Sequence, residues 1–378
     1  MIPIGEVLEL APRELVGKRD LPVMSITMKV GLVDQAEKFK KRIASSDIST
    51  YKVVHSDNLV VGFPIDEGVL GFQRRYDAAA VSPAYDIWQV IGGCEVDRTY
   101  YEQILRSPSA RAIYTAKMRG TTNRRRTIPK DIFRKIRLPL PPLAEQKRIA
   151  GILDAADALR AKRREAIAQL DAFIQSTFLD MFGDPVANPK GWERMKLGEL
   201  INFIGGSQPP KDTFIYEPKE DYVRLVQIRD FKTDKYQTFI PKKLAKRPFY
   251  KDDVMIARYG PPVFQILTGL SGSYNVALMK AEPIGNVEKH FIFYLLSSPV
   301  LNAAVVAQSE RTAGQSGVNL SFLNNYMAYI PPTDLQRRFA AIVESIEAQK
   351  ARHRMHLAEL DTLFASLQQR AFSGELTA

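Results

Sequence analysis

The residues from Pro141 to Asp184 align without a gap onto Pro331 to Gly374, at a constant offset of 190, with 14 identities in 44 positions. Ordinary residue frequencies give about three by chance. Whatever this chain folds into must therefore house two equivalent copies of one element. Each copy opens with a Pro-Pro pair, which suits a first helical turn because proline lacks an amide hydrogen and its φ is already helical. Beyond it apolar residues recur at helical spacing: Ile149, Ile152, Leu159, Leu170 and Phe173 in the first copy, and Phe339, Ile342, Ile346, Leu360 and Leu363 in the second. That pattern is a coiled-coil seam. Only Gly151 interrupts the first copy before Gly183, so about 40 residues at roughly 1.5 Å each predict a rod near 60 Å long.

A narrow apolar stripe is not stable alone in water, and two equivalent stripes in one chain supply each other's partner. Antiparallel pairing is expected. It carries the globules attached to the two helices to opposite ends, related by a pseudo-two-fold axis, whereas a parallel pair crowds them at one end.

The 378 residues leave room for two ordinary domains, and 45% hydrophobic residues suffice for a core in each. Lys plus Arg outnumber Asp plus Glu by 53 to 42, a net charge of +11 with neutral histidines. This favours a polyanionic partner over an acidic small substrate. One cysteine, Cys94, excludes an internal disulfide framework and a cysteine-rich zinc site, and is expected to be a small buried side chain in a reducing compartment. Glu6, Glu9, Arg13 and Glu14 interrupt the apolar residues near the start, and no later apolar run is long enough to span a bilayer. A soluble protein that is not exported is expected, in a reducing cytoplasm, with no membrane partner.

Residues 1–137 and 185–327 precede the helical segments 138–184 and 328–378. Their edges match: Ile4-Gly5-Glu6-Val7 resembles Leu197-Gly198-Glu199-Leu200, and a polar segment (Gly120-Thr121-Thr122-Asn123; Gly314-Gln315-Ser316-Gly317) precedes each Pro-Pro. Their interiors scarcely match, as expected of a tandem duplication whose halves read different targets. Tyr51–Val54, Leu59–Val61, Tyr222–Val226 and Val254–Ala257 read as strands, Thr99–Leu105 and Val287–Ser297 as helices at matching places. The fold class is α+β: two mixed α/β globules separated by two long antiparallel coiled-coil helices.

Basic residues concentrate in the globules. Between Ala110 and Arg137 ten Lys or Arg face one acid, Asp131; they include Lys117, Arg119, Arg124, Arg125 and Arg126. Lys242, Lys243, Lys246, Arg247 and Lys251 follow Pro241, interleaved with Phe249 and Tyr250. Arg74, Arg75, Lys211, Arg229, Arg311 and Gln315 complete the candidate contacts to phosphates and base edges. In Arg258-Tyr259-Gly260-Pro261-Pro262 a turn after a strand either presents Arg258 to a groove or merely ends the strand.

Leu138-Pro139-Leu140-Pro141-Pro142-Leu143-Ala144-Glu145-Gln146, Met181-Phe182-Gly183-Asp184-Pro185, Gly191-Trp192 through Leu200, and Phe372-Ser373-Gly374-Glu375-Leu376 together resemble the specificity subunit of Type I restriction-modification systems. The resemblance implies two target-recognition domains that each read one half of a bipartite double-stranded DNA site, with the paired helices as a ruler across an unread gap. It implies two methyltransferase (modification) subunits and restriction/translocase subunits as partners. S-adenosylmethionine, Mg and ATP are then expected on those partners, and no cofactor on this chain. The pattern Gly205-Gly206, Pro209-Pro210, Lys211, Asp230 and Asp253 through Arg258 is similar to that of such recognition domains. Thr333-Asp334-Leu335-Gln336 departs from the family's Leu-x-Glu-Gln.

The chain has no P-loop, no Gly-x-Gly-x-x-Gly and no adenine-methyltransferase Asn/Asp-Pro-Pro-Tyr/Phe. Its only nuclease-like set is Asp212 with Glu217-Pro218-Lys219. Three readings stand: a non-catalytic DNA-recognition subunit, a DNA-binding nuclease component, and a coiled-coil scaffold. Catalytic and metal-ligating residues are expected to be absent under the first.

Overall fold

The computed structural model describes residues 1–28, 30–38, 47–118, 127–185, 187–260, 262–309, 317–373 and 375. The chain forms two compact units, Met1–Arg164 with Met355–Ala378, and Glu165–Arg354. Each unit thus combines one globule with a stretch of both long helices.

The first unit opens with β1 (Ile2–Pro3), β2 (Leu8–Leu10), β3 (Met24–Thr27), β4 (Gly31–Asp34) and α1 (Gln35–Lys38). β5 (Lys52–His55), β6 (Leu59–Val61), β7 (Leu70–Phe72), β8 (Ala78–Val81) and β9 (Asp86–Val90) follow. Then come α2 (Arg98–Leu105), α3 (Pro108–Lys117), α4 (Lys130–Lys135), β10 (Arg137–Leu138) and the long α5 (Leu143–Phe182). An antiparallel sheet has the order β2-β9-β6-β7, while β3 with β4 and β5 with β8 form two antiparallel pairs. The Asp97 carboxylate accepts from the Tyr100 amide at the start of α2, and Ser107 does the same for Ala110 at the start of α3, where Pro108 fills the first position.

The second unit continues through β11 (Glu193–Lys196), α6 (Leu197–Leu200), β12 (Ile201–Gly205), β13 (Tyr222–Val226), β14 (Phe239–Pro241) and β15 (Pro248–Phe249). After these come β16 (Val254–Ala257), β17 (Ile266–Leu267), β18 (Gly272–Tyr274) and β19 (Leu278–Pro283). α7 (Lys289–Leu296), α8 (Pro299–Ser309), α9 (Leu320–Asn325), β20 (Met327–Ile330) and the long α10 (Thr333–Ser373) complete it. One antiparallel sheet has the order β12-β19-β16-β17; the other, β14-β13-β18-β15, contains the parallel pair β13 and β18.

The two units share one plan. β2-β9-β6-β7 matches β12-β19-β16-β17 strand for strand, α2, α3 and α4 match α7, α8 and α9, and β1 with β10 matches β11 with β20. The matching Gly5 and Gly198 explain the similar edges. A Cβ on Gly5 would meet Arg134 on α4 at 3.0 Å, and one on Gly198 would meet Asn324 on α9 at 2.8 Å. Residues 134 and 324 are again 190 apart, so in each unit a glycine lets the opening turn lie directly on the helix before the Pro-Pro. The strands outside this framework differ between units, which is why the interiors do not align in sequence.

Within the first unit α5 and α10 run antiparallel: Ile149 and Leu153 share a core with Ala371, Leu367 and Phe364. Farther along α5, Arg160 reaches Asp361 at 2.6 Å and stacks over the Phe364 ring at 4.3 Å. Within the second unit Leu170, Ile174, Phe178 and Phe182 pack with Phe339, Val343 and Ile346, and Phe178 and Phe182 meet Phe339 edge-on. Further toward α10's middle Lys350, buried at 4% exposure, joins Asp171 of α5 and Glu347 of its own helix. Arg160 likewise joins Asp157 of its own helix. Residues 160 and 350, 157 and 347, and 171 and 361 are each 190 apart, so one polar clamp recurs in both units.

These clamps correct the seam read from the sequence. Ile149, Phe339 and Ile346 are buried, and Ile152, Leu170, Ile342 and Leu360 half-buried. Leu159, Phe173 and Leu363, expected in the seam, face outward at 54%, 56% and 50% exposure. The cause is chemical: Arg160 and Lys350 occupy seam positions, so an apolar string drawn through the neighbouring Leu159 slips one residue off the true face. Cys94 also differs from expectation. It is half-buried, its Sγ 3.2 Å from the Glu6 carbonyl it donates to.

Gln146 and Gln336, another pair in the repeat, are fully buried and couple each globule to its helices. Gln146 accepts from the Asp97 amide at 2.8 Å and donates to the carbonyls of Glu95 and Pro141. Gln336 accepts from the Glu288 amide at 3.0 Å and donates to the Pro331 carbonyl at 2.8 Å. Among the described residues no single helix is long and apolar enough to cross a membrane. Gln336→Ala takes away the side-chain partner of the half-buried Glu288 amide and of the buried Pro331 carbonyl. It is expected to lower stability by about 1–3 kcal/mol, read as a lower urea midpoint; an unchanged midpoint would show that the glutamine is dispensable to the fold.

Candidate nucleic-acid interface

In the second unit the central strand β16 emerges from the sheet at Arg258. There the Arg258 amide donates to the Ala277 carbonyl at 2.8 Å, and the Arg258 carbonyl accepts from Val318 at 3.0 Å. Tyr259 bridges to Gly317, where a Cβ would lie 2.9 Å from the Tyr259 ring. The Arg258 guanidinium stacks over Tyr259 at 5.2 Å and passes beside Gly205, where a Cβ would stand 3.4 Å from Nη1. Its Nε is buried and, among the described residues, has no hydrogen-bond partner, as is the case for the Ser207 Oγ, close in sequence to Gly205. A planar cation stacked on an aromatic ring gives up part of its rotamer freedom in advance, and such a fork suits bidentate contact to an acceptor pair.

The Gly-Gly pair makes this end of the sheet possible. A Cβ on Gly206 would sit 1.9 Å from the Asn275 carbonyl oxygen, inside any tolerable contact. Gly206 donates to the Leu278 carbonyl and Ser207 to that of Tyr274. The Arg247 carbonyl in turn accepts from the Tyr274 amide at 3.2 Å. Gly205 to Ser207, Arg247, Asn275 and Arg258 thus converge, and Ser207 and Asn275 add to the candidates named from the sequence. The only sequence signal for them is the Gly-Gly pair that lets the backbones touch.

The other candidates of this unit lie at its surface. Lys246 and Arg247 are exposed beside Tyr250, which is 67% exposed. Lys243 and Lys211 are also exposed, and Lys242 is paired with Asp221 at 3.4 Å. Arg229 lies over Tyr236 at 5.9 Å. Asp212 and Glu217, the nuclease-like carboxylates, are both exposed, and among the described residues no three His, Cys, Asp or Glu side chains gather as a metal site would need.

In the first unit Arg74 and Arg75 line a cleft with Asp34, Glu37 and Glu102. Both arginines are engaged within the fold: Arg74 contacts Glu102 at 3.2 Å, and Arg75 grips Glu37 with both terminal nitrogens. That hydrogen bonding holds the Glu37 carboxyl below its usual range and raises Arg75 above its own. Tyr76 donates to Asp34 at 2.5 Å and holds that carboxyl low as well. Lys117 is exposed in the last turn of α3. Arg119, Arg124, Arg125, Arg126, Arg311 and Gln315 lie outside the described residues.

Gly206→Ala is expected to displace the end of β12 from Asn275 and so to cost stability by about 1–3 kcal/mol. Gly260→Ala, at a turn glycine with φ of 94° and open space around it, is expected to cost about 1 kcal/mol. Thermal unfolding of the two variants ranks them, and a Gly206 variant as stable as the parent would deny the close approach.

Residues 111–169 and 189–361 match the family described as Type I restriction modification DNA specificity domain. The chain is 24% identical over 282 residues to the Type I restriction enzyme EcoBI specificity subunit of Escherichia coli, covering 64% of this chain and 58% of that one. It is 25% identical over 279 residues to the EcoKI specificity subunit of Escherichia coli K12, covering 65% and 59%. The chain therefore spans a little under three fifths of the length of these relatives. Among solved structures, a chain from work on complex assembly and conformational transition of the type I R-M system aligns over 98% of this chain and 96% of its own. Its TM-score is 0.58 at 19% identity. The S subunit from M. genitalium aligns over 98% and 95%, with a TM-score of 0.58 at 16% identity. These two structures share the fold.

Proposed function

Because the chain belongs to the Type I restriction modification DNA specificity domain family, we propose that it reads a bipartite double-stranded DNA site and directs methyltransferase and restriction subunits to it. The chain itself is non-catalytic in this reading. S-adenosylmethionine, Mg and ATP act on the partner subunits, and two modification subunits correspond to the two recognition units, 1–137 and 185–327. The observation that carries the proposal is one framework used twice with different chemistry at the same place. Equivalent sheets, helices and glycines recur in both units, yet the turn after the central strand reads Gly62-Phe63 in one and Arg258-Tyr259 in the other. A duplication that keeps its scaffold and changes its tips fits two readers with two targets.

Phosphate contacts would come from the exposed Lys211, Lys243, Lys246 and Arg247, and base readout from the braced fork of Arg258, whose geometry matches guanine O6 and N7. Sequencing methylated adenines in a host with and without this chain should reveal one split motif that depends on it. Methylation that is unchanged, or that has no common motif, would reject the reading. Arg258→Ala in the assembled complex is expected to weaken cognate binding about 10- to 100-fold and to relax one position of one half-site, with Arg258→Lys failing to restore it. Lys243→Ala should instead weaken all sequences alike and lessen the salt dependence.

A further inference from the structure

In the first unit β6 occupies the place of β16, between β9 and β7 as β16 lies between β19 and β17. It runs into Gly62-Phe63, with no Lys or Arg at the two positions that Arg258 and Tyr259 hold in the second unit. Phe63 is 39% exposed, with its ring edge-on to Tyr85 at 5.8 Å. Gly62 makes room for that pair: a Cβ there would lie 3.2 Å from the Tyr85 ring and 3.0 Å from Val69. The result is a small aromatic tip whose exposed Phe63 ring has nothing to donate or accept.

Cations crowd around it. Lys52 donates to the Tyr85 carbonyl at 2.5 Å, and Lys130 pairs with Asp86 at 2.8 Å while 51% exposed. Desolvation lowers the pKa of Lys52; Asp86 opposes the shift, while Lys130 and Arg13 add to it. Lys52 and Lys130 therefore flank one carboxylate, Asp86, beside the aromatic pair. A polyanion laid across the tip would meet both cations.

We propose that Phe63 and Tyr85 form the base-reading contact of the first unit, against the C5-methyl group of a thymine in the major groove, with Lys52 and Lys130 on the flanking phosphates. The inference rests on the DNA-recognition reading above and adds to it that the two units read by unlike chemistry, apolar here and through a guanidinium fork in the second. The thymine methyl is the one apolar group that a base pair offers in the major groove, and aromatic side chains are suited to meet it.

The test uses the assembled complex and the split motif identified by methylation sequencing. The half-site not relaxed by Arg258→Ala is assigned to the first unit, and each of its thymines, on either strand, is replaced in turn by deoxyuridine, which lacks only the methyl. One replacement is expected to weaken binding about three- to tenfold. Phe63→Ser should erase that discrimination, and Phe63→Leu should keep most of it. Because Phe63 is exposed, neither change threatens the fold, and binding at an intact second half-site reports that the protein is sound. A first half-site without thymine, deoxyuridine replacements that all bind as before, or discrimination that survives Phe63→Ser would each overturn the proposal while leaving split-site recognition standing. Absence of any split motif would remove both.

Discussion

The burial of two apolar stripes against each other is the interaction on which the rest depends. Neither α5 nor α10 presents a face broad enough to fold alone, and each finds its complement in the other helix within both units. Apolar packing alone would tolerate sliding by a heptad. The clamps at Arg160 and Lys350 restrict it, because any shift leaves a buried or half-buried cation without its carboxylate, and an unpaired buried charge costs several kcal/mol. Stability then comes from the phenylalanines and isoleucines, and register from the two cations.

From that register the globules take their footing. Gln146 and Gln336 sit one turn into the helices and hold the backbone at the start of α2 and α7. Those helices pack on the sheets whose far ends carry Gly62-Phe63 and Arg258-Tyr259. A tip that must meet a base edge to within fractions of an ångström is thus braced through two layers, on strands rather than on long loops.

The helices, their antiparallel sense and the duplicated framework were legible in the sequence because a 190-residue offset and a 3-4 spacing are one-dimensional signals. Strands such as Leu59–Val61 and Val254–Ala257 were legible as short runs of β-branched and apolar residues. The exact seam was not, since Arg160 and Lys350 interrupt the very periodicity that defines it. Nor was the sheet order, which depends on pairings between residues far apart, such as Ile201 with Pro283. Among the basic candidates, charge counting could not separate Arg75, satisfied by Glu37, from Lys243, which is exposed. The aromatic tip at Phe63 carries no sequence signal at all until Tyr85 is brought beside it.

The clamp has one more consequence. Since residues 171 and 361 are the same carboxylate in the two copies, and 160 and 350 the same cation position, the α5 helix carries both the charge and its complement. Laid antiparallel against α5 of a second molecule, Arg160 would face Asp171 of that molecule, and the reverse, with Ile149 through Phe182 supplying the apolar lining. A helix complementary to its own duplicate is complementary to itself. A half-length chain ending near Asp184 would therefore carry the chemistry of a symmetric homodimer, whose two halves the tandem chain holds on a single polypeptide.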